Sequence, residues 1–171
     1  MGPLFQPVHL KILSDAVSLA EEIISDCFGL TTDYWLKNPY EVKTLKDEKD
    51  IILPKGVYAH LEKYGNKWHE KFFGKDTRCL YKVLVLDPRV LRVTGGHSSL
   101  MLPFLLYIMT HELIHMLRFS RFECAANIED KVDEEEKVHS LTESVLSKIK
   151  MTNLNTVIDF FNGKIINLSM N

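Results

Sequence analysis

From Leu100 to Leu117 almost every residue is apolar except those of one motif, His111-Glu112-Leu113-Ile114-His115. As a helix this run would be buried on most of its faces, and two histidines and a glutamate can be buried only where something compensates them. Helical geometry offers the compensation. Positions i and i+4 lie about 40° apart on one face, so His111 and His115 can turn two imidazole nitrogens toward one cation. Glu112 sits about 100° round from His111, within reach of a water that the cation would activate. The HExxH pattern on a buried helix therefore reads as a metal site with a general base beside it. Ser98 or Ser99 is the expected N-cap, with Gly95-Gly96 as the loop that enters the helix.

Two blander readings compete with this one. The histidines could be core residues bonded to backbone or carboxylates, with Glu112 paired to Arg118 or Arg121. The stretch from His97 to Arg121 also approaches the ~20 residues of a membrane span, but three polar groups at its middle and the lack of a second comparable apolar run argue against that. The chain of 171 residues, 46% hydrophobic and 26% charged, is the size and composition of one globular domain. A net charge of −2 gives no reason to expect nucleic acid or an anionic membrane as partner. Cys27, Cys79 and Cys124 are far apart and lack CxxC spacing, so they read as reduced thiols. With no secretion signal evident at the N-terminus, the expected location is cytoplasmic.

Around this core the chain divides by periodicity. Residues 7–27 carry Leu10, Leu13, Val17, Ala20, Ile23 and Ile24 at helical spacing, with Gly29 as the stop and Glu21 and Glu22 on the wet side. Residues 31–49 lack a clear period, and Asn38-Pro39 marks a turn or helix boundary within them. Lys55 to Tyr64 is expected as a short helix ended by Gly65-Asn66, and His60 and His69 as surface or packing residues without a spaced partner. Cys79 to Leu86 is the best strand, ended by Asp87-Pro88, with a turn or short helix at Val90 to Val93. A linker to about Ile128 leads into a helix from Asp130 to Lys150. A last short helix spans Asn153 to Phe161. The fold class is α+β, mainly helical, as a single domain over 1–171 with its metal core at about 79–150 and a tail at 151–171.

Catalytic zinc normally takes three protein ligands and keeps one position open. Candidates for the third crowd into Asp133-Glu134-Glu135-Glu136-Lys137-Val138-His139. On a helical wheel Val138, Leu141, Val145, Leu146 and Ile149 define the buried face. Glu135 lies roughly 40° and His139 roughly 80° from its centre, on the same side, with Thr142 between them. Glu136 and Glu143 point to solvent, while Glu134 flanks the apolar face on the other side and stays in play. First-turn carboxylates also offset the helix dipole, and Asp133 with Glu136 suits a capping box. Glu135 is the favoured ligand, with His139 as the alternative ligand or as a residue orienting Glu135 or a metal-bound histidine.

His111-Glu112-x-x-His115 followed by Glu135 resembles the zincin metallopeptidases, in their gluzincin arrangement of two histidines and a glutamate from the next helix. The nineteen residues between His115 and Glu135 are similar to the interval in thermolysin-like enzymes, which carry an acid where this chain has His139. The long metzincin signature is absent. HELIHMLRF, EEEKVHSLTESVL and CLYKVLVLDPRVL together also resemble a family of small, uncharacterised bacterial metallopeptidase-like proteins with no known substrate. The resemblance implies a zincin-like core, a bound Zn2+, a peptide or protein substrate, and Glu112 as general base on a metal-activated water. It also implies an edge strand that pairs with extended substrate, for which Tyr81 to Leu86 is the candidate. Tyr107, one turn before His111, and Arg118 are available to stabilise an oxyanion or contact substrate. Two rivals remain at this level. Glu112-x-x-His115 and Glu136-x-x-His139 would suit a di-iron carboxylate bundle if Glu21 or Glu22 joined them, and a short chain could hold zinc without turnover.

Overall fold

In the computed structural model, residues 2–46, 48, 51–64, 80–121, 130–164 and 167–168 are described. His69, Gly65-Asn66, Cys79, Cys124 and the linker to Ile128 lie outside them. The protein is α+β and mainly helical. Helix α1 (Pro7–Phe28) buries Leu13, Ala20, Ile23 and Ile24 as expected, and Ala16 besides, while Leu10 is exposed and Val17 half-buried; it stops at Gly29, at φ 62°. A short helix, α2 (Thr32–Lys37), precedes strand β1 (Tyr40–Thr44). Strands β2 (Ala59–Tyr64) and β3 (Leu80–Val85) complete a sheet of order β1-β3-β2, with β3 parallel to β1 and antiparallel to β2. Helix α3 (Asp87–Thr94) follows, then α4 (Ser98–Ser120), α5 (Asp130–Leu146) and α6 (Leu154–Phe161).

The organising element is α4. Helices α1, α3, α5 and α6 and strand β2 all pack on it. Of the residues from Leu100 to Arg118 only Leu102 and His111 are incompletely buried. A helix wrapped this way needs no amphipathic stripe, because every face meets protein. It is long and apolar enough to cross a membrane, yet 78% of its most apolar window lies inside the protein.

Local devices fix the surroundings of α4. Pro103 has no N–H for the Ser99 carbonyl one turn back, and the side-chain Nδ2 of Asn153 donates to that carbonyl instead at 3.0 Å. This bond ties the start of α6 to the first turn of α4. The fully buried Asp87 accepts from the Phe5 amide at 2.9 Å and the Leu45 amide at 3.1 Å, joining the N-terminal segment, the end of β1 and α3. Arg89 donates to the carbonyls of Leu53, Pro54 and Val57, which orders the approach to β2.

Several expectations are corrected. Lys55 to Tyr64 is no helix: Ala59–Tyr64 pairs with β3 along its length, so a tertiary partner overrides the local preference. The strand at Tyr81 to Leu86 is central, with a neighbour on each side, and cannot be the substrate-pairing edge. Helix α4 begins at Ser98 with His97 as its N-cap and no side-chain cap bond, because Gly95 and Gly96, at φ 66° and 70°, turn the chain straight into it. Helix α5 ends at Leu146, short of Lys150.

Candidate metal centre

Helix α4 turns His111 and His115 to the same side, ring centroids 4.8 Å apart. Opposite them α5 presents Glu135, on the flank of a helix whose Val138, Val145 and Leu146 are buried. Its carboxylate spans the pair. One oxygen lies 3.2 Å from His111 Nε2 and the other 2.8 Å from His115 Nε2. One ligand atom from each residue lies within 4.8 Å of the others, the one such His/Cys/Asp/Glu group among the described residues. Two imidazole nitrogens and a carboxylate oxygen are the donor types of a first-row divalent cation, zinc above all. The donor set fits, with one departure from common practice. Among the described residues His111 Nδ1 is buried without a hydrogen-bond partner, where a ligating imidazole ordinarily has an acceptor that fixes its tautomer.

The three acids and bases here are held in different charge states by their surroundings. The hydrogen bonds from His111 and His115 hold Glu135 well below the usual carboxylate range, against its partial burial. Burial lowers the His111 imidazole, and Glu135 opposes the shift. Glu112, 9% exposed, is pushed well above the carboxylate range by burial and secondarily by the charge of Glu135. A hydrogen bond from the Leu61 amide offsets part of that rise. That bond shows which strand faces the site. The Tyr58 carbonyl bonds toward the β3 side, to the Leu86 amide, so alternation turns the amides of Ala59, Leu61 and Lys63 away from β3. The edge of β2 that faces away from β3, which pairs with no other strand among the described residues, thus runs beside Glu112.

A cavity of about 460 Å³ opens over these groups. Val57, Tyr58, Ile108 and Phe161 supply its apolar wall, and His60 and Glu136 its polar margin. Tyr107 lies on it, stacked on Phe161 with centroids 4.0 Å apart and planes 4° from parallel. Burial, then the charges of Glu143 and Glu135, raise its phenol. His139 is not a ligand here, since Nδ1 lies 2.5 Å from the Tyr107 hydroxyl and Nε2 lies 2.6 Å from Asn162 Oδ1. It orients Tyr107, not Glu135 or a histidine of the cluster.

Other expected roles fall away. Arg118 is buried and holds Glu134 through Nε at 2.6 Å and Nη2 at 3.1 Å, and it does not line the cavity. The same pairing removes Glu134 from the ligand candidates and keeps its carboxyl below the ordinary range. Asp133 and Glu136 lie within α5, not at its cap. Glu136 and His139 do not join a second cluster, and Glu21 accepts a hydrogen bond from Tyr40, so the di-iron arrangement is not assembled among the described residues.

Leu61, Phe161 and Asn162 carry no motif. Only the chain's path brings a strand amide to Glu112 and the end of α6 to Tyr107. A comparison with family models, curated proteins and solved structures finds no match to this chain.

Proposed function

We propose that this protein is a zinc-dependent hydrolase of the zincin type that cleaves peptide bonds. The observation that carries the reading is the convergence of His111, His115 and Glu135, with Glu112 adjacent and a cavity above them. In this reading the two imidazoles and the Glu135 carboxylate hold the cation. When bound, the cation supplies Lewis acidity, which activates water near neutral pH and polarises a carbonyl. Glu112 accepts the proton of the attacking water and delivers it to the leaving amine. Its raised affinity for protons suits that double duty better than an ordinary carboxylate would.

The outward amides of Ala59 and Lys63, on either side of the Leu61 amide that Glu112 takes, are suited to an extended peptide laid along that edge, and the apolar wall of Val57, Tyr58, Ile108 and Phe161 to one of its side chains. Among the described residues the cluster has three donors, two of which, His111 and Glu135, line the cavity, which leaves room for water and substrate, whereas a structural zinc site closes with four protein ligands. That openness favours turnover over a zinc held only for stability. Replacing Glu112 by Gln tests the assignment. The Glu112→Gln variant is expected to keep one zinc by elemental analysis while peptide hydrolysis falls at least about 100-fold. Equal turnover by the variant and the wild-type protein would remove Glu112 from the role of base.

A further inference from the structure

The hydrogen-bond chain from Asn162 through His139 to Tyr107 fixes more than a position. Asn162 Oδ1 is an acceptor only, so His139 Nε2, 2.6 Å away, must carry the proton of that bond. A neutral imidazole protonated at Nε2 offers Nδ1 as an acceptor. The Tyr107 hydroxyl, 2.5 Å from Nδ1, therefore donates its single proton to His139. Tyr107 is 2% exposed and lines the cavity, so what its phenol has left for a group that enters there is an oxygen lone pair. The stacking of Tyr107 on Phe161 and the place of α6, anchored through Asn153 to Ser99, hold the arrangement in register.

We propose that Asn162 and His139 are positioning residues that set the polarity of Tyr107, so that its hydroxyl accepts a hydrogen bond from an N–H of the substrate. This rests on the hydrolase reading above and sharpens it. With its proton given to His139, Tyr107 does not act as the oxyanion donor expected of it from sequence. It reads the N–H of the scissile amide itself, a group that an ester at that bond lacks. The site therefore selects amides through a lone pair that the end of α6 aims.

Two measurements test this. The first needs no metal, no turnover and no variant: ¹⁵N-detected histidine spectra of the metal-free protein, at a pH where imidazole is neutral. His139 is expected as the Nε2–H tautomer, and the Nδ1–H tautomer would overturn the proposal. The second uses a quenched-fluorescent peptide with Phe after the scissile bond and its ester analogue at that bond. Tyr107→Phe is expected to lower kcat/KM about 10-fold on the amide and less than 2-fold on the ester, the loss of one hydrogen bond. Asn162→Leu should reproduce that amide-only loss, and Asn162→Asp, which keeps an acceptor for Nε2–H, should restore it. Equal losses on amide and ester, or none on either, would overturn the proposal, equal losses being the mark of an oxyanion donor or of general disorder. Wild-type protein that holds zinc but cleaves neither probe would remove the hydrolase reading and the substrate role of Tyr107 with it. The tautomer would still report whether the relay exists.

Discussion

In the proposed reading Glu112 serves as a base, and it does so from within a helix that is buried almost throughout from Leu100 to Arg118. Burial favours its neutral form, the charge of Glu135 favours it further, and the Leu61 amide pulls the other way. A carboxyl that binds protons more tightly folded than unfolded contributes stability that is complete below the unfolded pKa and is lost as pH rises through the folded one. Glu135 has the opposite sign, since its depressed pKa gives stability present above the unfolded value and lost on acidification. The two effects therefore occupy different pH windows. In metal-free protein, the gain in melting temperature of Glu112→Gln over wild type should grow as pH rises above the ordinary carboxylate range. Thermal unfolding across a pH series in chelator measures it, and parallel curves would contradict the burial argument. The cluster itself was legible in sequence, because i, i+4 spacing fixes the angle between His111 and His115, and a wheel places Glu135 near the buried face. The partners of Arg118 and His139 were not. Angles on one helix do not determine what a second or third helix brings to meet them.

At the scale of elements, α4 and α5 are held together beside the site by Arg118 and Glu134, with side chains 8% and 12% exposed. Removing Arg118 leaves a part-buried Glu134 without these bonds. Arg118→Ala should therefore cost about 2 kcal/mol, lowering the melting temperature by about 4–8 °C for a domain of this size. Calorimetry reads this directly, and a shift under about 2 °C would show the pair to be a solvated one. Strand β2 holds the other side. Its Leu61 amide points away from β3, so Leu61→Pro should spare the ladder, as proline at an edge can, while removing the bond that lowers the pKa of Glu112. The acidic limb of the kcat/KM profile should then move to higher pH. An unmoved limb would mean that Glu112 does not set it. Helices α1 and α5 could be read from apolar spacing, and α4 from an almost unbroken apolar run. Strand β2 could not, because its short run is made a strand only by pairing with β3. The order β1-β3-β2 is a property of topology that no local pattern in Tyr81 to Leu86 encodes.

Over the whole molecule, one apolar helix is enclosed by four other helices and a strand, and its few polar residues gather where α4, α5 and β2 meet. That is the economy expected when buried charge must be matched by a partner. His111, His115 and Glu135 bring two imidazole nitrogens and a carboxylate oxygen within 4.8 Å of one another, around a shared point. The account stands on the claim that a cation fills that point. X-ray absorption at the zinc edge, on protein loaded with zinc and then desalted, tests it most directly. The expected result is one zinc per chain with two imidazole nitrogens at about 2.0–2.1 Å and carboxylate oxygen in its shell, the signal being lost in His115→Ala. Zinc well below one per chain, or a shell without two imidazoles, would contradict it.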